Sequence, residues 1–296
     1  MSPKSQALAT TLALVLIGLS SPAIAGPLRT NPRSPTAVDS LLTKVHQAID
    51  EQRYVDASHW LASAKMDGIT DPRLALASGH LNLAQGRFSN ALDAFRLAER
   101  TPPTRPEALE GQGLALLALN REQDAEPLLD QAVAVNDKAW RAWNALGTIY
   151  DRRGDWKRSE KAYDQALAPS DSAAILLNNR GYSRLLQGQR AAAIGDFIAA
   201  LSKEPAMTVA RRNLRLAMAL DGDYDRALAG GTPLEQSTLL NNAGFAAAVR
   251  GDYQKANEFL NRALLVRATY YERAVENLKL VATLSTEQRT QPDGRP

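Results

Sequence analysis

The 296-residue chain contains no cysteine. This absence excludes disulfide bonds, thiolate-bound metals, a cysteine nucleophile and a lipid attached to an amino-terminal cysteine. Histidine is also scarce, with three residues, and they form no H-x-x-x-H pair of the kind that binds a metal on a helix. We therefore predict that the protein binds no metal and no cofactor.

Enzyme signatures are missing as well. The sequence has no G-x-S-x-G nucleophile elbow, no phosphate-binding P-loop and no H-E-x-x-H motif. One carboxylate pair, Glu107 and Glu110, has the i, i+3 spacing of an exposed helix face, where water would solvate both groups. We predict that the protein is not an enzyme and takes no small-molecule substrate.

Neither sign of charge dominates the chain. There are 35 Lys and Arg residues against 32 Asp and Glu residues, and the two signs alternate along the chain, as over residues 152–160. A protein that reads nucleic acid needs a large patch of basic charge. We predict no nucleic-acid partner.

Long apolar runs are confined to the first 25 residues. Lys4 precedes an apolar stretch, Ala7–Ser20, and Ala23-Ile24-Ala25 offers an A-x-A cleavage site, which is the pattern of a secretory signal peptide. The stretch is shorter than the roughly 20 residues that span a membrane comfortably. We expect export to the periplasm with cleavage of residues 1–25. An uncleaved signal that anchors the chain is the alternative, and any other membrane association would occur through partners.

The sequence does contain an internal repeat of 34 residues, clearest over Ala139–Pro205. Gly147 and Gly181 stand 34 residues apart, midway along predicted helices, and Gly154 and Gly188 repeat the spacing at predicted turns. A missing side chain lets two helices approach closely, and glycine accepts the positive φ that a tight turn often needs. The repeat therefore predicts pairs of helices joined by short turns.

Trp143, Leu146, Gly147 and Tyr150 match the signature of the tetratricopeptide repeat, and the chain resembles that family. The resemblance implies an all-α fold, an α-solenoid of stacked helix pairs, each with a first helix A and a second helix B. The predicted repeats are 38–71, 72–105, 106–139, 140–173, 174–207, 208–236 and 237–270, followed by a capping helix over 271–284. Outside this array, 38–284, we predict a Pro-rich linker over 26–37 and a disordered tail over 285–296.

Capping chemistry agrees with these boundaries. Asp71-Pro72 is typical of a helix start, and Thr104 and Thr232, each followed three residues later by glutamate, predict capping boxes. Gln52 stands in the column of turn residues otherwise held by glycine and asparagine, and fits it poorly.

Repeat six is short. Its helix B is predicted to cover only residues 223–229 before Gly230-Gly231. This shortening indicates either a hinge or a tolerated deletion, and both interpretations stay open.

In the family that the chain resembles, positions two, five, six, nine and twelve of helix A line a peptide-binding groove. The primary amides at these positions could bind the backbone of an extended peptide, or could satisfy neighbouring loop backbones instead. Position nine never holds asparagine, so the carboxylate clamp of chaperone-tail receptors is absent. In the first two repeats position nine holds His46 and His80, which we expect to lie about 10 Å apart on one face. The predicted groove residues are Asn144, Thr148, Asn178, Tyr182, Arg212, Asn213, Asn241 and Phe245.

The last hundred residues resemble a narrower family, the TadD-type proteins of the tight-adherence (Flp) pilus assembly system. The matching segments are LLNNRGYSRLLQGQRAAAIGDFIAAL (176–201), ARRNLRLAMALDGDYDRALA (210–229) and LLNNAGFAAAVRGDYQKANEFLNRAL (239–264). This resemblance implies a non-catalytic periplasmic scaffold that binds the pilus secretin or other envelope assembly components. The alternative is a general periplasmic chaperone or assembly factor for other exported proteins. Members of this family are often lipoproteins, and the missing cysteine departs from that pattern.

The signal-peptide pattern gives a first test. We predict that the mature chain begins at Gly26, because the A-x-A site precedes that residue. Mass spectrometry of protein from the envelope fraction should find an amino-terminal peptide that starts GPLRTNPR. A peptide that retains residues 1–25 would instead show the uncleaved anchor.

Overall fold

A computed structural model describes residues 37–168, 173–267 and 271–290. Within these residues the chain forms α-helices and one short 3₁₀ turn, Pro102–Thr104, with no β-strand. They divide into two compact units between Leu176 and Leu177. The predicted all-α fold of stacked helix pairs is confirmed.

The amino-terminal unit contains the first four helix pairs. Odd-numbered helices are the helices A of the repeats and even-numbered helices are the helices B. The bounds are α1 Ala37–Asp50, α2 Tyr54–Met66, α3 Arg73–Ala84, α4 Phe88–Glu99, α5 Arg105–Ala118, α6 Glu122–Val135, α7 Trp140–Arg153 and α8 Trp156–Leu167.

The carboxy-terminal unit contains three further pairs and a last helix, and its first helix begins just before the unit boundary. The bounds are α9 Ala173–Leu186, α10 Arg190–Lys203, α11 Thr208–Asp221, α12 Tyr224–Leu228, α13 Pro233–Arg250, α14 Tyr253–Val266 and α15 Glu272–Thr290.

A glycine midway along helix A lets a large side chain of helix B lie against the backbone. A Cβ placed on Gly79 would lie 2.5 Å from Cε1 of Phe95, and a Cβ on Gly111 of the following helix A would lie equally close to it. The buried ring of Phe95 therefore fills a slot between two glycines. The same contact recurs in later repeats, at Gly113 with Leu129, Gly147 with Tyr163, Gly181 with Phe197 and Gly244 with Leu260.

The turn between helices A and B demands a left-handed residue throughout the array. Gly86 and Gly154 have φ of 71° and 69°, and Asn120 takes 58° at the equivalent position. Gln52, which the sequence marks as a poor fit, nevertheless has φ of 60°. The geometry of the repeat holds Gln52 in this left-handed conformation against its preference for negative φ, at a cost of about 1–2 kcal/mol.

Helices A form the inner side of the amino-terminal unit. Helices α1, α3, α5 and α7 each contact the next in this series, whereas successive helices B in the described residues make at most marginal contact. Closer approach on one side curves a stack of helix pairs toward that side. The inner surface of this unit is therefore built from helix A side chains.

Two of the three predicted helix starts are present. Thr232 accepts a hydrogen bond from the Glu235 N–H at 3.3 Å, and Glu235 accepts one from the Thr232 N–H at 2.7 Å, which completes the capping box. Asp71 accepts from the Arg73 N–H at 2.9 Å, and α3 begins at Arg73, one residue later than predicted.

The predicted capping box at Thr104 is wrong. The diproline turn before it gives Thr104 a nearly helical backbone, and its hydroxyl donates to the Ala98 carbonyl at the end of α4 instead.

The predicted end of the last helix is also wrong. Helix α15 continues to Thr290 rather than ending at residue 284, so residues 285–290 are helical and not part of a disordered tail. No glycine or proline interrupts the chain before Pro292, which explains the extension. The predicted signal peptide, the linker up to residue 36 and residues 291–296 lie outside the described residues.

Helix α12 has five residues and α13 has 18, in line with the predicted shortening of repeat six. These lengths do not distinguish a hinge from a tolerated deletion. Among the described helices, none combines the length and apolar character that crossing a membrane requires.

The slot around Phe95 gives a stability prediction. In Gly79→Ala the new methyl group would overlap a ring that Gly111 already confines, so the free energy of unfolding should fall by about 1–3 kcal/mol in urea denaturation. Gly195→Ala is the matched control, because nothing lies within 4 Å of a Cβ at that position on α10. The free energy of unfolding of this control should rise by about 0.5–1 kcal/mol, because alanine has a higher helix propensity than glycine. Equal effects of the two substitutions would contradict the packing argument.

Candidate functional site

Three predicted groove residues of the carboxy-terminal unit are buried. Asn178, Asn213 and Asn241 are 6%, 2% and 3% exposed. Asn213 Nδ2 donates to Asn178 Oδ1 at 2.9 Å and so links α9 to α11. In the same way, Asn277 Nδ2 donates to Asn241 Oδ1 at 3.0 Å and links α13 to α15.

These amides therefore tie one helix A to the next. The prediction that they face a bound peptide is at odds with their burial, and their partners are other amides rather than the loop backbones that the alternative interpretation named. Successive helices A approach closely enough for two short side chains to meet. A buried amide that lost its partner would cost about 1–3 kcal/mol.

The other predicted groove residues have different environments. Phe245 is buried in the core of its unit. The hydroxyl of Thr148 is half-buried and donates to the Asn144 carbonyl of its own helix at 3.1 Å. Asn144 and Tyr182 are half-buried and Arg212 is exposed, so these three and Thr148 remain candidates for contact with a partner.

A buried ion triad, which no sequence motif predicts, joins α9 to α10. Asp196 accepts from Arg180 Nη2 and from Arg184 Nη1, both at 2.8 Å, and its side chain is almost fully buried. Two guanidinium groups compensate the one carboxylate, so the triad serves packing of this helix pair.

The inner surface of the amino-terminal unit collects ionisable side chains from four successive helices A. The rings of His46 and His80 have centroids 6.0 Å apart, and the His80 ring also lies 5.3 Å from that of Phe95. His80 Nε2 lies 3.5 Å from Glu107 Oε1. We call the following set the inner cluster: His46 and Asp50 on α1, His80 on α3, Glu107 and Glu110 on α5, and Arg141 on α7.

Burial keeps both imidazoles of the inner cluster neutral. It lowers the pKa of His80 to about 3, with a smaller contribution in the same direction from His46 and Arg141. Burial also lowers the pKa of His46. At neutral pH the two rings therefore act as planar uncharged groups.

The carboxyl groups of the inner cluster are short of positive charge. Burial raises the pKa of Glu110 to about 7, although Arg141 acts in the opposite direction. Burial likewise raises the pKa of Glu107 and of Asp50, again against the effect of Arg141. Arg141 Nη1 is 3.9 Å from Glu110 Oε1, and the guanidinium stacks 4.6 Å from the Trp140 ring centroid. One cation thus serves three carboxyl groups.

Sequence reasoning missed this cluster for an identifiable reason. The sequence predicts that Glu107 and Glu110 are a solvated pair, which holds for Glu107, whose side chain is 46% exposed, but not for Glu110, whose side chain is 12% exposed. Glu107 and Arg141 occupy position two of their helices A, and Glu110 occupies position five, which are groove positions of the repeat. Applying the groove rule to repeats three and four would have found them.

The two histidines are also closer than expected. The expected separation of about 10 Å is the distance between helix axes, whereas the rings extend toward each other and reach 6.0 Å. No group of three or more histidine, cysteine, aspartate or glutamate residues could hold a metal ion within the part of the chain that the structure describes.

Comparison with known proteins identifies the repeat. Residues 73–134 and 111–174 match the family model described as "Tetratricopeptide repeat". The chain is 32% identical over 160 residues to protein FlbA of Caulobacter vibrioides, an alignment that covers 51% of this chain and 25% of FlbA. The chain spans a quarter or less of the length of the curated relatives it matches.

Solved structures share the fold. PilW, titled a widely conserved type IV pilus biogenesis factor, has a TM-score of 0.55 at 17% identity, over 82% of this chain and 99% of PilW. PilF of Pseudomonas aeruginosa has a TM-score of 0.53 at 14% identity, over 74% of this chain and 97% of PilF. At these identities the likeness is one of fold, and that fold is the tetratricopeptide-repeat α-solenoid.

The raised pKa of Glu110 predicts a pH-dependent stability. In the folded state the Glu110 carboxyl group keeps its proton up to about pH 7, whereas in the unfolded state it loses the proton near pH 4.5. The contribution of Glu110 to stability therefore falls as pH rises between these values. Glu110→Gln should therefore be about 1–3 kcal/mol more stable than the wild type at pH 8 and nearly equal to it below pH 4.5. Urea denaturation at the two pH values measures this difference.

Glu122→Gln is the control, because Glu122 pairs with Arg152 and Arg153 instead of lacking a cation. That variant should lose up to about 1 kcal/mol at pH 8. A loss of similar size in Glu110→Gln would show that Arg141 fully compensates Glu110.

Proposed function

We propose that the protein is a non-catalytic periplasmic scaffold that holds segments of other envelope proteins during assembly of the tight-adherence (Flp) pilus machinery. The observation that carries this proposal is the inner surface of the amino-terminal unit. There, four successive helices A present polar groups whose charges are not balanced among the residues that the structure describes. Such a surface suits recognition of another polypeptide better than chemistry on a small molecule.

The pilus part of the proposal rests on resemblance. The segments over residues 176–264 resemble TadD-type proteins, and the amino-terminal pattern is that of an exported protein. PilW, whose title describes a pilus biogenesis factor, provides a precedent for this use of the fold. Fold alone does not determine function, so the partner has to be identified directly.

The surface also suggests how a partner segment would bind. Side chains of α1, α3, α5 and α7 lie along one side of the unit, so an extended segment that crosses these helices would contact several repeats in turn. Each repeat would add a small increment of affinity, and specificity would follow from the order of polar and charged groups.

Photo-crosslinking in cells tests the proposal. A photoreactive amino acid at Thr148 or at Arg212, both predicted groove residues, should capture the secretin or another pilus assembly component. The same probe at Val55, which is 82% exposed on the helix B α2, should not capture it. Deletion of the gene should reduce the number of pili counted by electron microscopy.

Two outcomes would contradict the pilus role. Pili at normal number in the deletion strain would reject it. Capture of many unrelated unfolded proteins, with no pilus component among them, would favour the general chaperone instead.

A further inference from the structure

We propose that the inner cluster is a recognition site for an arginine side chain presented by a partner protein. This inference deepens the scaffold role proposed above and rests on it, because it names the chemistry of the segment that would bind.

The first argument is charge. The inner cluster contains the carboxyl groups of Asp50, Glu107 and Glu110, two imidazoles that are neutral at pH 7, and one guanidinium, that of Arg141. With all three carboxyl groups ionised, the cluster carries a net charge of −2. A ligand with positive charge is therefore attracted, and an acidic segment is repelled.

The second argument is hydrogen bonding. Arg141 Nη1 lies 3.9 Å from Glu110 Oε1 and His80 Nε2 lies 3.5 Å from Glu107 Oε1, and both distances exceed a normal hydrogen bond. A backbone hydrogen bond from the Ala142 N–H favours ionised Glu110. The carboxylate oxygens thus retain acceptor capacity. A guanidinium brings five N–H donors in a planar fork, which suits a pair of carboxylates.

The third argument is shape. The planar ring of His80 lies beside the Glu107 carboxylate, 3.5 Å from its Oε1, and the rings of His46 and Phe95 have centroids 6.0 Å and 5.3 Å from that of His80. A guanidinium stacks on aromatic planes while its edge donates to carboxylates, whereas a lysine ammonium is a compact, strongly hydrated charge. Neutral rings are required for this role, because a protonated imidazole would repel the ligand.

The chain already uses the same combination elsewhere. The Arg158 guanidinium lies 3.9 Å from the centroid of the Tyr150 ring, and its Nη2 is 3.4 Å from Glu126 Oε1. An aromatic face beside a carboxylate therefore holds an arginine in this protein. The inner cluster offers that pairing with more carboxylates than its own arginine can satisfy.

A peptide titration followed by NMR tests the site on the full-length mature protein. The probe is the acetylated, amidated pentapeptide Ala-Ala-Arg-Ala-Ala, and the control peptide carries citrulline, a neutral isostere, in place of arginine. The arginine peptide should shift amide signals of α3 and α5, whereas the citrulline peptide should leave them unchanged. A peptide with lysine should bind several-fold more weakly.

Matched variants separate the site from general electrostatics. Glu107→Gln combined with Glu110→Gln should lower the affinity for the arginine peptide about tenfold or more, as expected for loss of charge-assisted hydrogen bonds. Glu122→Gln combined with Glu126→Gln removes the same charge from carboxylates that already pair with Arg153, and should leave the affinity unchanged. Circular dichroism of both variants checks that they are folded.

The pH dependence gives a second readout. Binding by the wild type should weaken as pH falls from 8 to 5, because Glu110, with a pKa of about 7, and Glu107, whose pKa is also raised, take up protons. The variant that lacks both carboxylates should lose most of this dependence, because Asp50 is then the one carboxyl group of the inner cluster that still titrates.

Three results would overturn the site: equal binding of the citrulline peptide, an equal loss of affinity in the Glu122/Glu126 variant, or signal shifts confined to other helices. None of them bears on pilus number, so the scaffold role is tested separately. Arginine-specific binding in a strain whose deletion leaves piliation normal would support the site and reject the pilus role.

Discussion

The close packing of helix A against helix B is the constraint on which the rest of the structure depends. A large buried side chain, such as Phe95 or Leu260, lies directly on the backbone of a glycine, at a distance that no Cβ could share. This contact sets the spacing within each pair. At Phe95 it also brings two successive helices A together, because the ring contacts both Gly79 and Gly111.

The close approach of successive helices A has opposite consequences in the two units. In the carboxy-terminal unit it brings Asn213 to Asn178, and the two uncharged amides share one hydrogen bond, although Asn213 Oδ1 is left without a partner among the described residues. In the amino-terminal unit it brings His80 within 3.5 Å of Glu107, and Arg141 within 3.9 Å of Glu110. The pKa of both carboxyl groups is nevertheless raised, because the one arginine does not offset the effect of burial. The carboxy-terminal unit therefore uses its inner amides to hold neighbouring helices together. The inner cluster of the amino-terminal unit instead has carboxyl groups that a positively charged ligand would stabilise.

Much of the fold could be predicted from sequence because a 34-residue period specifies contacts within a repeat. The period places Gly147 and Gly181 at equivalent points of their helices, where each contacts a large side chain of helix B, and four residues suffice to predict the capping box at Thr232. The candidate site was harder. Whether Asn178 faces solvent or another helix depends on the separation of neighbouring repeats, and the period carries no information on that distance. The burial of Glu110 escaped prediction for the same reason.

Helix α12 shows how the stack accommodates a repeat whose second helix is short. Its five residues extend about 8 Å, so the start of α13 has little tertiary cover from that helix. The reciprocal bonds of Thr232 and Glu235 stabilise that start locally. The capping box thus stabilises the start of α13 where the short α12 contributes little packing. The helices keep their stacking order without an additional loop or strand.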